Sequence, residues 1–140
     1  MDVQVNWVGV LGAAVASMVV GMIWYAPQVF GSRWQKLVKL SDKDMKERSS
    51  KAIALAFAMS LIMAYVLAHV SYLAHYFFDN SFLEDSLMTA FWVWLGFCFS
   101  RTFTHDAFER RPMDLTVMNA GNQLVTLLAM GLVIGLVGIK

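Results

Sequence analysis

Three carboxamide side chains lie close together near the C-terminus, inside a segment that is otherwise apolar. They are Asn119, Asn122 and Gln123, in the stretch MNAGNQLVTLL. Moving a carboxamide out of water costs free energy unless another group hydrogen-bonds it. Amides in such a segment have two uses. They bond across helices and fix packing, or they line a pocket that binds or passes a small polar solute.

The spacing of the amides indicates one polar helix face. Asn119 and Gln123 are four residues apart, and Asn122 neighbours the face that they share. Arg101 and Tyr25 are expected at the same depth in the membrane, and they are the leading candidates to bond these amides. If the amides line a pocket, these five residues are its candidate lining, and if the amides only fix packing, the same residues bond one another across helices. Further polar or aromatic residues expected at that depth are Trp24, Ser100 and Thr104.

Other reactive residue types give weaker signals. His105 and Glu109, four residues apart in HDAFE, have the spacing of two metal ligands on a helix, but a third ligand at a suitable spacing is missing. We favour a charged, solvated helix end and predict no metal or cofactor. The sequence contains no recognisable nucleophile–base pair, phosphate loop or haem motif, and we predict no catalytic residue.

The distribution of charge predicts how the amides are held. Only 15% of the residues are charged, against about a quarter in soluble domains, and the mean hydropathy is +0.57. A spanning helix needs about 20 mostly apolar residues. Of four charge-free stretches, three are long enough. The one that ends at Arg101 is shorter and requires Arg101 to reach toward the headgroups from the helix end. We predict a single all-α membrane domain over 1–140, a four-helix bundle with helices at about 6–26, 52–75, 86–104 and 115–138.

Basic residues predict the orientation of these helices. Ten of the eleven Lys and Arg residues fall in the first loop or near the end of the third helix, and only Lys140 falls on the other side. Loops rich in Lys and Arg face the cytoplasm. We expect a multi-pass protein of the inner membrane with both termini outside. The net charge of +1 gives no indication of a nucleic-acid partner.

The first loop contains an amphipathic segment at about 31–48. Trp34, Leu37 and Val38 recur at near-helical spacing between basic residues, which is typical of a helix lying on a lipid surface. Ser41 and Asp44 have the spacing of a capping box, so a polar turn or helix follows. The alternative is a solvated charged loop anchored by Trp34.

Small residues recur every four positions on three of the predicted helices. Such faces let helix backbones approach closely in lipid, within one chain or between chains. We expect a homo-oligomer, with packing against a larger membrane complex as the alternative. The two helix hairpins form a candidate two-fold repeat. The predicted packing positions are Gly9, Ala13, Ser17, Gly21, Ala56, Ser60, Ala64, Gly131 and Gly135.

Several short motifs occur in a characteristic order. They are NW at 6–7, WYAPQVFGSRW at 24–34, WLGF at 94–97, RP at 111–112 and NAG at 119–121. In this arrangement the chain resembles the bacterial membrane family called domain of unknown function family 1761. The resemblance covers nearly the whole chain and implies a four-helix integral membrane protein with no established activity.

The residues themselves support two functional hypotheses. The first is a small polytopic membrane protein that binds or passes a small solute through a polar inner-leaflet pocket, as a homo-oligomer. The second is a structural or accessory subunit of a larger membrane complex. Lipid is the expected surrounding in both, and enzyme activity has no positive support.

Overall fold

The computed structural model describes residues 3–78 and 80–139, and for residues 45–49 it describes the backbone alone. In this part of the chain all regular structure is helical. Four helical stretches are long and apolar enough to cross a membrane: Trp7–Trp24, Ser50–Phe78, Phe82–Phe108 and Met113–Val137. The predicted fold class, an all-α membrane bundle of four helices, is confirmed.

Helix limits coincide with local capping signals. Asn6 accepts a hydrogen bond from the Val8 N–H at 3.1 Å and so caps the first helix. Ser81 and Glu84 form a capping box at the start of the third spanning stretch. The elements are α1 (Trp7–Trp24), a π-helical turn (Pro27–Gly31), α2 (Ser32–Val38), α3 (Asp42–Phe78), α4 (Phe82–Val93), a π-helical stretch (Trp94–Phe99), α5 (Ser100–Phe108) and α6 (Met113–Val137).

Two helices extend beyond the apolar stretches that predicted them. α3 begins at Asp42, well before position 52, because Ser41 and Asp44 cap it with reciprocal backbone bonds of 3.1 and 3.2 Å. α5 continues to Phe108, so Arg101 lies about two turns before the helix end instead of at it. Hydropathy marks where a chain is apolar, whereas helical hydrogen bonding continues through polar residues.

The amphipathic segment is shorter as a helix than the predicted range 31–48. α2 ends at Val38, because Lys39 takes a left-handed backbone conformation with φ 56°. Along α2, Trp34 and Leu37 are half-buried while Arg33 and Lys36 are exposed, as an amphipathic helix requires. The side chains of residues 45–49 lie outside the described part of the chain.

The four spanning stretches form a ring in which each contacts two neighbours. α6 packs against α1 and α4, and α3 packs against the same two helices from the other side. Contacts across the ring are fewer. The centre is filled by buried apolar residues: Val10, Ala13, Ala64, Leu67, Ala68, Ala90, Leu127, Met130 and Ile134.

Small residues let α1 and α3 approach closely in the middle of the bundle. Ala13 and Ala64 are fully buried, and the hydroxyl oxygens of Ser17 and Ser60 are 2.8 Å apart. Gly9 is buried against α6. These predicted packing positions therefore lie in contacts within one chain.

Glycines of α6 permit an equally close approach to α4. A Cβ atom on Gly131 would lie 2.8 Å from the Ser86 carbonyl oxygen, and one on Gly135 would lie 2.7 Å from the Leu83 Cα atom. Such distances are too short for a real Cβ atom, so both positions require glycine in this packing.

Gly21 and Ala56 depart from the predicted packing. A Cβ atom on Gly21 would have nothing within 4 Å, and Ala56 is exposed, like all of residues 51–59. α3 diverges from the bundle along this stretch, and the space left behind is a cavity. Within the chain neither residue makes a close helix contact, and for these two positions packing against another chain stays a prediction.

Candidate functional site

A cavity of about 730 Å³ opens at the end of the bundle formed by α2, the start of α3, α5 and the start of α6, which we call the basic end. Its volume is within the range of about 300–1,000 Å³ found for small-molecule sites. All five residues of the predicted polar pocket lie around it, and their role in binding stays a prediction. The lining consists of Tyr25, Trp34, Ala52, Ala56, Arg101, Thr102, His105, Asp106, Asn119, Asn122 and Gln123.

The WYAP motif and the glycine that follows it position Tyr25. After α1 the chain turns through one π-helical turn, closed by a hydrogen bond of 3.0 Å from the Gly31 N–H to the Ala26 carbonyl oxygen. Gly31 packs directly on the Tyr25 carbonyl group, where a Cβ atom would lie 2.1 Å from the oxygen. The ring of Trp34 meets the Tyr25 ring edge-on, with centroids 5.3 Å apart. Together these contacts fix the direction of the Tyr25 side chain.

Two hydroxyl groups bond the amides of α6. Tyr25 Oη donates to Asn119 Oδ1 at 3.2 Å, and Thr102 Oγ1 donates to Gln123 Oε1 at 3.2 Å. The first bond joins the pair that the sequence analysis ranked among its leading candidates. Arg101, the other leading candidate, bonds neither amide.

Thr102 is a cavity residue that the sequence analysis missed. Ser100 and Thr104, which we expected at this depth, are exposed and bond carbonyl groups of their own helical segment at 2.5 and 2.8 Å. Thr102 lies between them in the sequence and therefore points in another direction around the helix. The rotation of α5, which no sequence pattern revealed, selects Thr102 over its neighbours.

Contacts of the NAG motif fix the rotation of α6 about its own axis and so the direction in which its amides point. Trp94 Nε1 donates to the Ala120 carbonyl oxygen at 2.9 Å and so joins the WLGF motif to NAG. Gly121 lies against the Trp24 ring, where a Cβ atom would be 3.3 Å from the ring carbons. The Trp24 ring also packs against the Phe30 ring at a tilt of 38°, with centroids 4.7 Å apart. The motifs thus meet around the wall of the cavity.

Hydrogen-bond donors remain unused in this wall. Asn119 and Gln123 accept bonds through their oxygen atoms, but their NH₂ groups make no hydrogen bond with any residue that the structure describes. Asn122 Nδ2 is buried and has no partner among the same residues. Arg101 is exposed, and within the described part of the chain it makes no hydrogen bond or ion pair. The wall therefore offers N–H groups to anything that enters.

His105, Asp106 and Glu109 come together at the edge of the cavity. One possible ligand atom from each lies within 4.8 Å of the others. However, Arg111 Nε is 2.6 Å from Glu109 Oε2 and 3.8 Å from Asp106 Oδ1, and Thr116 Oγ1 donates to Asp106 Oδ2 at 2.8 Å. The carboxylates therefore already have a cation and a hydroxyl group as partners, an arrangement typical of an ion-pair cluster.

A second buried carboxylate lies at the opposite end of the bundle. Asp85 is 4% exposed, its Oδ2 atom is 3.0 Å from His75 Nδ1, and its Oδ1 atom accepts a hydrogen bond of 3.2 Å from Asn80. In the sequence, Asp85 precedes the predicted third helix, which begins at about position 86. Only its position in the first turn of α4, beside the end of α3, explains its burial.

The amides differ in what their replacement should cost. Asn119→Leu leaves the Tyr25 hydroxyl without its acceptor, and we expect the free energy of unfolding to fall by about 1–2 kcal/mol. Asn122→Leu removes a buried group that has no internal partner, and we expect no loss of stability. Thermal unfolding of both variants in one detergent measures the difference. Equal loss in both variants would contradict these bonding assignments.

Comparison with known proteins identifies the family. The model of one family, described as "Protein of unknown function (DUF1761)", matches residues 8–135. No curated protein and no solved structure matches the chain. The family match covers most of the chain, and its four spanning helices agree with the resemblance inferred from the motifs. The chain belongs to the DUF1761 family of proteins of unknown function.

Proposed function

We propose that the protein binds a small polar solute in the cavity at the basic end, and that this end faces the cytoplasm. The observation that carries the proposal is the cavity itself, about 730 Å³ in volume and lined by carboxamides and an arginine. Basic loops predict the cytoplasmic orientation. A solute would then enter from the cytoplasmic side between α3 and α5.

Packing alone does not account for the cavity wall. Buried or partly buried polar groups that serve packing are normally hydrogen-bonded within the protein. Here the oxygens of Asn119 and Gln123 are bonded, whereas their NH₂ groups have no partner among the described residues. An apolar side chain would pack in a membrane helix without such unused donors. In an open cavity these donors bond to water, and a polar solute that binds there would replace that water as the acceptor.

Binding has more support than passage. Beyond Gln123, α6 buries Leu127, Met130 and Ile134 in the apolar centre of the bundle. Gly131 and Gly135 hold α6 in backbone contact with α4 in the same region. Passage would require these helices to separate, so we assign binding as the function of the cavity.

Association with other chains stays a prediction. Gly21 has open space around it and Ala56 is exposed. We therefore predict that a second copy or a larger complex contacts the chain at these small residues. Purification distinguishes the two hypotheses. A homo-oligomer would be recovered as a stable assembly of one chain, whereas an accessory subunit would be recovered consistently with another protein.

Cysteine labelling tests the proposal without knowledge of the solute. In a Cys98→Ala background, we expect a cysteine replacing Gln123 to react with the neutral polar reagent 2-hydroxyethyl methanethiosulfonate in detergent. A cysteine replacing Leu127, which is 1% exposed, is the unreactive control. Ala56→Trp places a large ring on the cavity wall and should slow the reaction at position 123. Equal, slow reaction at positions 123 and 127 would refute the proposal.

The orientation is tested with an impermeant cationic thiosulfonate reagent on intact cells. Gln4 and Ser50 are exposed at opposite ends of the bundle, and a cysteine at position 4 should react while one at position 50 is protected. In inside-out vesicles the pattern should reverse. The opposite result would overturn the cytoplasmic orientation and leave the cavity assignment intact.

A further inference from the structure

Within the described part of the chain, the side chains of Asn119 and Gln123 both keep an unbonded NH₂ group at the cavity. Tyr25 and Thr102 each donate a hydrogen bond to an amide oxygen, so the oxygens of Asn119 and Gln123 each already accept one bond while their NH₂ groups donate none within the described residues. Neither NH₂ group is among the buried atoms that lack a partner, unlike Asn122 Nδ2. Both NH₂ groups are therefore accessible donors with no partner among the described residues. This wall favours a ligand that accepts hydrogen bonds.

The charged groups around the cavity differ in whether they already have partners. Asp106, which is 6% exposed, accepts a hydrogen bond from the Thr116 hydroxyl group. Arg111 Nε lies 2.6 Å from Glu109 Oε2 and 3.8 Å from Asp106 Oδ1, so one cation serves two carboxylates. Arg101 brings a guanidinium group that is unpaired within the described residues. It is therefore the group with which an anion in the cavity would pair.

From these donors we infer that the ligand of the cavity is an oxyanion of the phosphate-ester class, paired with Arg101 and bonded by the NH₂ groups of Asn119 and Gln123. This inference rests on the proposed binding function. A guanidinium group fits a phosphate group through paired N–H bonds. Neutral amide donors add hydrogen bonds without adding charge to be desolvated.

Two sources of oxyanion fit the position of the cavity. α3 diverges from the bundle over residues 51–59, and Ala52 and Ala56 on that stretch face Arg101 on α5 across the cavity. The opening is at the end of the apolar spans, where lipid headgroups meet water. A soluble anion and the phosphate of a lipid headgroup both reach this level, and both present the same chemistry to Arg101.

The test uses four probes that form two matched pairs. The purified protein in a phosphate-free nonionic detergent is titrated with glycerol 3-phosphate and with glycerol, and with phosphatidylglycerol and diacylglycerol in mixed micelles. We expect binding of at least one phosphate probe and not of its neutral counterpart. Arg101→Gln should weaken that binding about 10- to 100-fold, the range expected for losing a charged hydrogen bond. Arg101→Lys keeps the charge and should retain part of the affinity.

Arg110→Gln is the matched control. It removes the same charge at the same end of the bundle, but Arg110 is exposed and not part of the cavity lining. It should leave the affinity unchanged. Thermal unfolding of each variant verifies that it is folded, and Arg101, being exposed, should tolerate the change.

The outcomes separate this inference from the function on which it rests. Binding of phosphatidylglycerol alone supports the inference with lipid as the source, and binding of glycerol 3-phosphate supports it with a soluble source. Equal binding of the neutral probes, unaffected by Arg101→Gln, overturns the oxyanion inference while the cavity remains a binding site. If no probe binds, the inference is also overturned, and the labelling of position 123 then decides whether the binding function is lost with it.

Discussion

Gly31→Ala is expected to lower the free energy of unfolding by about 2–3 kcal/mol, as overpacking of a tight contact does. The added Cβ atom would lie 2.1 Å from the Tyr25 carbonyl oxygen and 2.9 Å from the Ala26 carbonyl carbon. Both neighbours are backbone atoms and cannot rotate away, so the π-helical turn must shift. Thermal unfolding in detergent, followed by intrinsic tryptophan fluorescence, measures the loss.

Gly21→Ala provides the control for this substitution. A Cβ atom there meets nothing within 4 Å, and the position is inside α1. Alanine is the better helix former by about 0.5–1 kcal/mol, so this variant should be as stable as the parent or more stable. If Gly31→Ala behaved like Gly21→Ala, the turn after WYAP would be loosely packed and the account of Tyr25 positioning would be wrong.

Gly131→Leu is expected to have the second large effect, a loss of about 3 kcal/mol or failure to fold. A Cβ atom at this position already lies 2.8 Å from the Ser86 carbonyl oxygen and 3.0 Å from the Ala90 Cβ atom. Ser86 and Ala90 are fully buried, so α4 has to move away from α6 to admit a leucine side chain. The midpoint of thermal unfolding and the yield of monodisperse protein measure this effect.

Ala58→Leu is the control for bulk in a membrane helix. Ala58 is on α3 and exposed, so a leucine side chain there meets no neighbour within the bundle. Its stability should equal that of the parent. Equal stability of Gly131→Leu and Ala58→Leu would mean that α4 and α6 do not pack through glycine, contrary to the structure.

The family motifs gain a physical explanation from these contacts. WYAP and the following FG build the turn that aims Tyr25 at Asn119, and Trp94 of WLGF bonds the backbone of NAG. Asn6 of the NW motif caps α1 and also donates to the Gly138 carbonyl oxygen at 3.2 Å, which closes the opposite end of the bundle. These motif residues therefore position helix ends and fix contacts between helices around the cavity.

The sequence by itself determined the class of protein and the composition of the candidate site. Hydropathy is a local property, and the free energy of placing a charged group in lipid is large, so charge-free stretches predicted four spanning helices. Capping preferences are also local, and Ser41 with Asp44 indicated the start of a polar helix. The i, i+4 spacing placed Asn119 and Gln123 on one face, which the structure also shows lining one cavity.

The tertiary structure alone decided which groups pair and which remain free. The rotation of α5 brings Thr102 to Gln123 and leaves Arg101 without a partner among the described residues, although both are polar and adjacent in sequence. The divergence of α3 turns Ala56 from an expected packing residue into part of the cavity wall. Helix rotation and divergence depend on the sum of many contacts between distant segments, such as Gly131 with Ser86, and no short stretch of sequence contains that sum.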